Sequence, residues 1–110
     1  MYTIKLINEY LHGPIWVYDE EGFIRRKYPL IDNDDELRQL NEQARNLYDS
    51  FYLFNEDDSA CVFDEDGYKE AYEEMIGIIN KIVHKLQMIN NNDFVIEDYI
   101  TKEIDVEASK

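Results

Sequence analysis

Two imidazoles, one thiol and an abundance of carboxylates are the groups with which this chain could do chemistry. His12 and His84 stand far apart, in different expected elements, and Cys61 is the only cysteine. Zinc sites draw on clustered Cys and His ligands, so no metal site is expected. The run Asp64-Glu65-Asp66-Gly67 resembles part of a calcium loop. It lacks the alternating acidic frame, and the twelfth position from Asp64 is Met75 where a bidentate Glu belongs. An acidic helix start is the better reading. Cys61 sits in DDSACVF, where acidic neighbours raise a thiol's pKa, so it reads as a small buried core residue and not a nucleophile. His12 is the only base that could be imagined beside it.

No nucleophile elbow, phosphate loop or dinucleotide fingerprint occurs, and the chain has only four glycines. Carboxylate pairs are too numerous to single out an acid–base couple among 25 acidic residues. The expectation is therefore a protein that is not an enzyme and needs no cofactor. A carboxylate site in a deep pocket stays open as the enzymatic alternative.

Binding chemistry is better represented. The chain has 110 residues and a net charge of −14, from 25 acidic against 11 basic side chains. Spread over a folded surface of roughly 6,400 Å², this leaves only about two excess charges in a partner footprint of ~800 Å². Clustering decides whether the charge matters, and acids do cluster, at 19–21, 32–36, 56–58, 64–66, 70–74 and 97–98. Nine Tyr, five Phe and one Trp accompany them. Tyr offers a large contact area with a polar tip, and carboxylates pair with Lys or Arg of a basic partner. The densest acidic region gives the expected contact set: Tyr52, Glu56, Asp57, Asp58, Asp64, Glu65, Asp66, Glu70, Glu73 and Glu74. Tyr48, Tyr68 and Tyr72 are assigned to helix core stripes instead, and Tyr52 to the surface.

The negative field opposes nucleic acid and anionic membranes. Arg25-Arg26-Lys27 is the only basic run. It reads as a counterweight to Asp19, Glu20 and Glu21 across a turn, with contact to a partner's acidic rim as the alternative. No apolar stretch approaches the ~18 residues of a membrane span. The opening MYTIKLINEY lacks the pattern of a signal peptide, and a lone cysteine suits a reducing compartment, so a cytoplasmic location is expected.

The elements that would carry these groups follow from periodicity. Residues 2–7, 15–18, 23–30 and 94–100 read as strands, with 15–30 as a hairpin closed by the acidic turn before Gly22. A capping box at Asn33 and Glu36 opens a helix over about 34–53, with Leu37, Leu40, Ala44, Leu47, Tyr48 and Phe51 on one stripe. Residues 55–66 form a polar connection with an apolar island from Ala60 to Phe63. A second helix begins near Asp64–Asp66 and runs to the stop at Asn90-Asn91-Asn92, with Gly77 as a point of close approach or bending. Residues 101–110 read as a mobile polar tail. The expected fold is one α+β domain over 1–110, in the order β-β-β-α-α-β. Its small antiparallel or mixed sheet of three or four strands carries two amphipathic helices on one face. A coiled-coil homodimer through the second helix is the rival use of that stripe, so the chain is expected as a monomer or a homodimer.

The segments LINEYLHGPIWVYDEEG and PLIDNDDELRQLNEQ, with the size and charge of the chain, resemble small acidic immunity proteins of bacterial toxin–immunity systems, including contact-dependent inhibition. The resemblance implies an antitoxin-like inhibitor whose partner is a basic toxin, a nuclease domain foremost. It carries over no binding residue and gives the phrase His12-Gly13-Pro14-Ile15-Trp16 no biochemical role. A phage- or plasmid-borne DNA mimic that blocks a host nuclease is the alternative.

Overall fold

The computed structural model describes residues 1–54 and 61–108. Ten elements follow one another. They are β1 (Tyr2–Leu6), β2 (Ile15–Tyr18), α1 (Pro29–Asp32), α2 (Asp35–Asp49), β3 (Tyr52–Phe54), β4 (Cys61–Phe63), α3 (Glu65–Glu70), α4 (Tyr72–Ile89), β5 (Phe94–Asp98) and α5 (Tyr99–Ala108). The α+β class holds, with more and shorter elements than the periodicity suggests.

The main sheet is mixed, in the order β2-β1-β5. β1 pairs antiparallel with β2 and parallel with β5, so the last strand lies beside the first. Strand alternation puts Ile4 and Leu6 on the face that also carries Val17 and Phe94. These four pack with Leu37, Leu40 and Ala44 of α2 and with Met75, Ile79, Ile82 and Leu86 of α4. Both amphipathic helices thus cover one side of the sheet, as their stripes require. The α4 stripe that could have made a coiled-coil seam is packed inside the chain, with these four α4 residues at 0% exposure.

Several expectations are corrected. The segment 23–30 is not a strand; only the bridge between Tyr18 and Ile24 remains of the expected hairpin. Pro29 instead opens α1, where its fixed φ and missing N–H cost nothing. The α2 N-cap is Asp34, not Asn33: its Oδ1 accepts the Leu37 N–H at 3.0 Å. Glu36 does not close a capping box but faces Lys85 at 3.3 Å. α2 ends at Asp49, because the aromatic residues after Ser50 pair as β3 with β4.

The long second helix is divided at Ala71, whose φ of −98° and ψ of 7° fall outside the helical basin. The division lets Tyr68 face the β3–β4 hairpin while Met75 faces the main core. Gly77, exposed and with no neighbour where a Cβ would stand, takes no part in it. The stop after α4 is Asn90, whose Oδ1 accepts the N–H groups of Asp93 and Phe94. The expected tail continues α5 to Ala108, with Ile100 and Ile104 buried in the main core.

Candidate functional site

The expected contact set gathers around a second, aromatic cluster built beside the main core. β3 and β4 form a two-stranded antiparallel ribbon in which Tyr52 pairs with Phe63 and Leu53 with Val62. Phe63 packs on Tyr48, Tyr52 and Tyr68 with centroid separations of 5.4, 5.0 and 5.6 Å. Tyr68 also meets Phe51 at 5.4 Å and Tyr72 edge-on at 5.0 Å. These tilted and edge-to-face geometries are the favourable ones for aromatic pairs. A two-stranded ribbon is marginal alone, and this cluster is its support.

The loop before β2 reaches across to the same cluster. Tyr10 packs on Tyr52 at 4.4 Å, and Asn8 donates to the Tyr68 hydroxyl at 3.1 Å. The Leu11 N–H donates to Asp49 Oδ1 at 3.0 Å. Leu11 holds a φ of 65°, a conformation that costs a non-glycine residue roughly 1–2 kcal/mol. Its side chain is nevertheless 68% exposed.

Burial sets the ionisation of the cluster. Desolvation pushes the Tyr68 hydroxyl up to about 12, against a smaller lowering by the hydrogen bond from Asn8. Desolvation also raises Tyr48, with the Tyr52 hydroxyl bond adding to it. The charge of Glu103 on α5 adds a smaller raising effect to both.

The expected residues divide as follows. Tyr52 is half-buried under Tyr10 rather than on the open surface. Tyr48, Tyr68 and Tyr72 are half-buried and packed against the main core, as their stripe positions imply, and they join the aromatic cluster as well. Asp64 is the N-cap of α3, its Oδ1 accepting the Gly67 N–H at 3.0 Å. Glu65, Asp66, Glu70, Glu73 and Glu74 are exposed on α3 and the first turn of α4. None of these five makes an ion pair among the described residues. Lys69 is the only cation between residues 64 and 74. Glu56, Asp57 and Asp58 lie outside the described residues.

Three apolar side chains outside the expected contact set are exposed on the ribbon: Val62 of the Ala60–Phe63 island, its pair Leu53 on the same face, and Phe54 on the other face. Leu53, Phe54 and Val62 of the ribbon are 51, 50 and 63% exposed. Their signal was the short apolar runs Phe51–Phe54 and Ala60–Phe63 on either side of a polar stretch, a hairpin pattern. Cys61, expected in the core, is exposed on the same ribbon. Strand alternation puts Cys61 on the same face as Phe63, but at the ribbon position paired with Phe54, which is itself half exposed.

Among the described residues no group of His, Cys, Asp or Glu is arranged to hold a metal ion. Among them no helix is long and apolar enough to cross a membrane. Comparison with protein-family models, with curated proteins and with solved structures finds no match to this chain.

Proposed function

We propose that the chain is an inhibitor of the immunity type, which docks its β3–β4 ribbon and α3 face on a basic protein, the nuclease domain of a toxin. The observation that carries this reading is one of juxtaposition. Exposed Leu53, Phe54 and Val62 lie on the ribbon whose second strand leads through Phe63 and Asp64 into α3, where Glu65, Asp66 and Glu70, with Glu73 and Glu74 of α4, make no ion pair among the described residues. An apolar centre with a charged border is the general anatomy of a protein interface. Nuclease clefts are basic because they hold phosphates, so unpaired carboxylates suit them. Such a field also speeds encounter, which serves an inhibitor that must intercept its target early. The apolar ribbon favours this reading over a DNA mimic, whose surface would consist of carboxylates at phosphate-like spacing.

The test is inhibition. The protein encoded beside this chain in its native genome is assayed for charge and for nuclease activity with and without it. The reading expects stoichiometric inhibition that weakens with salt. It also expects Phe54→Ala and the triple variant Glu65→Gln, Asp66→Asn, Glu70→Gln each to weaken it. A neighbour that is not basic, or inhibition untouched by both variants, contradicts it.

A further inference from the structure

Three residues of the segment His12-Gly13-Pro14-Ile15-Trp16, namely His12, Ile15 and Trp16, line one wall of a half-open cavity of about 160 Å³. The wall is tightly built. The His12 ring lies flat on Trp16 at 3.6 Å, and its Nδ1 donates to the Gly13 carbonyl at 2.8 Å, which leaves Nε2 as the ring's free nitrogen. Asn41 of α2 accepts the Ile15 N–H at 3.1 Å. A Cβ on Gly13 would stand 2.6 Å from Asn41 Nδ2, and the Gly13 φ of 91° disfavours any other residue.

Arg25, Arg26 and Arg38 line the same cavity. They are three of only four arginines in a chain of net charge −14. With 25 carboxylates available, each guanidinium could have been neutralised. Only Arg25 is held closely, its Nε 3.0 Å from Asp19. Arg38 meets Asp35 at 3.4 Å in a pair open to solvent, and Arg26 has no ion pair among the described residues. The one carboxylate in the lining, Asp32, accepts the Tyr28 N–H at 2.7 Å. Beneath these groups Ile15, Val17 and Leu37 supply an apolar floor. Guanidiniums that line one cavity over apolar surface give it a positive rim, which an anion would complement.

We propose that this cavity binds a small organic anion. A carboxylate or phosphate group sits among the guanidiniums, which match such oxyanions through forked, charge-assisted hydrogen bonds. The apolar body rests on the floor and is about the size of a benzene ring, which a cavity of ~150 Å³ accommodates. The site shares no residue with the ribbon and α3 face, and it is tested on the free chain. Either proposal can therefore fail alone.

Trp16 is the only tryptophan and stands in the wall, so its emission reports occupancy. The probes are benzoate and phenyl phosphate, with benzyl alcohol as the neutral control. The expected result is a saturable, one-site change in emission with at least one anion, and the tighter of the two identifies the head group. Benzyl alcohol binds at least roughly tenfold more weakly, and Arg26→Gln with Arg38→Gln weakens the anion by roughly tenfold or more. Arginine side-chain nitrogen signals of the wild-type chain give a readout that does not depend on the variant's folding: the Arg26 signal shifts on titration. No saturable change with either anion, equal binding of benzyl alcohol, wild-type affinity in a folded double variant, or an unmoved Arg26 signal each overturns the proposal.

Discussion

The starts of α2 and α3 are nearly the same sentence written twice, with different outcomes. Each opens on an Asp whose Oδ1 caps the third N–H at 3.0 Å, and each has two acids in its first turn. At α2 the surplus charge is met. Lys85 of α4 stands 3.6 Å from Asp34 and 3.3 Å from Glu36, while Arg38 meets Asp35 at 3.4 Å only in a pair open to solvent. At α3 no cation meets Glu65 or Asp66 among the described residues, and the acids continue through Glu70, Glu73 and Glu74. Local sequence determines the cap, while tertiary neighbours determine whether the remaining charge is satisfied. An acid that the fold does not neutralise is available to a partner.

The comparison can be broken first at the platform beneath α3. Tyr68→Ala removes the ring that joins Phe51, Phe63 and Tyr72, and is expected to cost about 2–4 kcal/mol in urea unfolding. A cost below about 0.5 kcal/mol, the range of ordinary surface changes, would mean that the ribbon is not supported by the cluster. The same ring gives an alkaline signature. The Tyr68 hydroxyl is pushed from 10.0 to about 12 in the fold. Between those values the unfolded chain has lost a proton that the fold retains, so stability falls as pH rises above about 10. Unfolding midpoints across that range should decline in the wild type and decline less in Tyr68→Phe.

The two caps sharpen the contrast at smaller scale. Asp34→Ala loses a cap and an ion-pair partner of Lys85, and is expected to cost about 1–2 kcal/mol. Asp64→Ala loses the cap alone, at about 1 kcal/mol or less. Equal costs would show that the Lys85 contact adds nothing. Smallest of all, Glu70→Gln is expected to leave stability within about 0.5 kcal/mol, because the carboxylate is exposed and lies at the unfavourable end of its helix. A larger loss would reveal an internal partner and remove Glu70 from the binding surface.

Much of this architecture was legible in sequence, and the reasons for the rest are specific. The stripes of Leu37, Leu40 and Ala44 and of Met75, Ile79, Ile82 and Leu86 are long enough for the helical period to stand out, and all are buried. Three-residue β3 and β4 are too short for any period. The residues of β3 follow directly on the α2 stripe, which ends at Phe51, and only pairing with a distant segment turns them into a strand. Pro29 illustrates the same limit, because its ring suits a strand exit and a first helical turn equally. Of the site, the acid cluster was legible from composition, but the absence of counter-ions at α3 was not. Lys85 lies about fifty residues from Asp34, and charge partners at that distance follow from the packing of α2 on α4. The cavity was hidden for a similar reason: Arg38 joins Arg25 and Arg26 only through the fold.

The most direct measurement is amide hydrogen exchange of the chain, free and mixed with the protein encoded beside it in its native genome, at low and high salt. Protection is expected to concentrate in residues 52–54 and 61–74, with the caps of α2 unchanged and the affinity falling as salt rises. Protection confined to the Lys85–Asp34 side, or affinity indifferent to salt, would contradict the claim that un-neutralised carboxylates beside an apolar ribbon make the binding face.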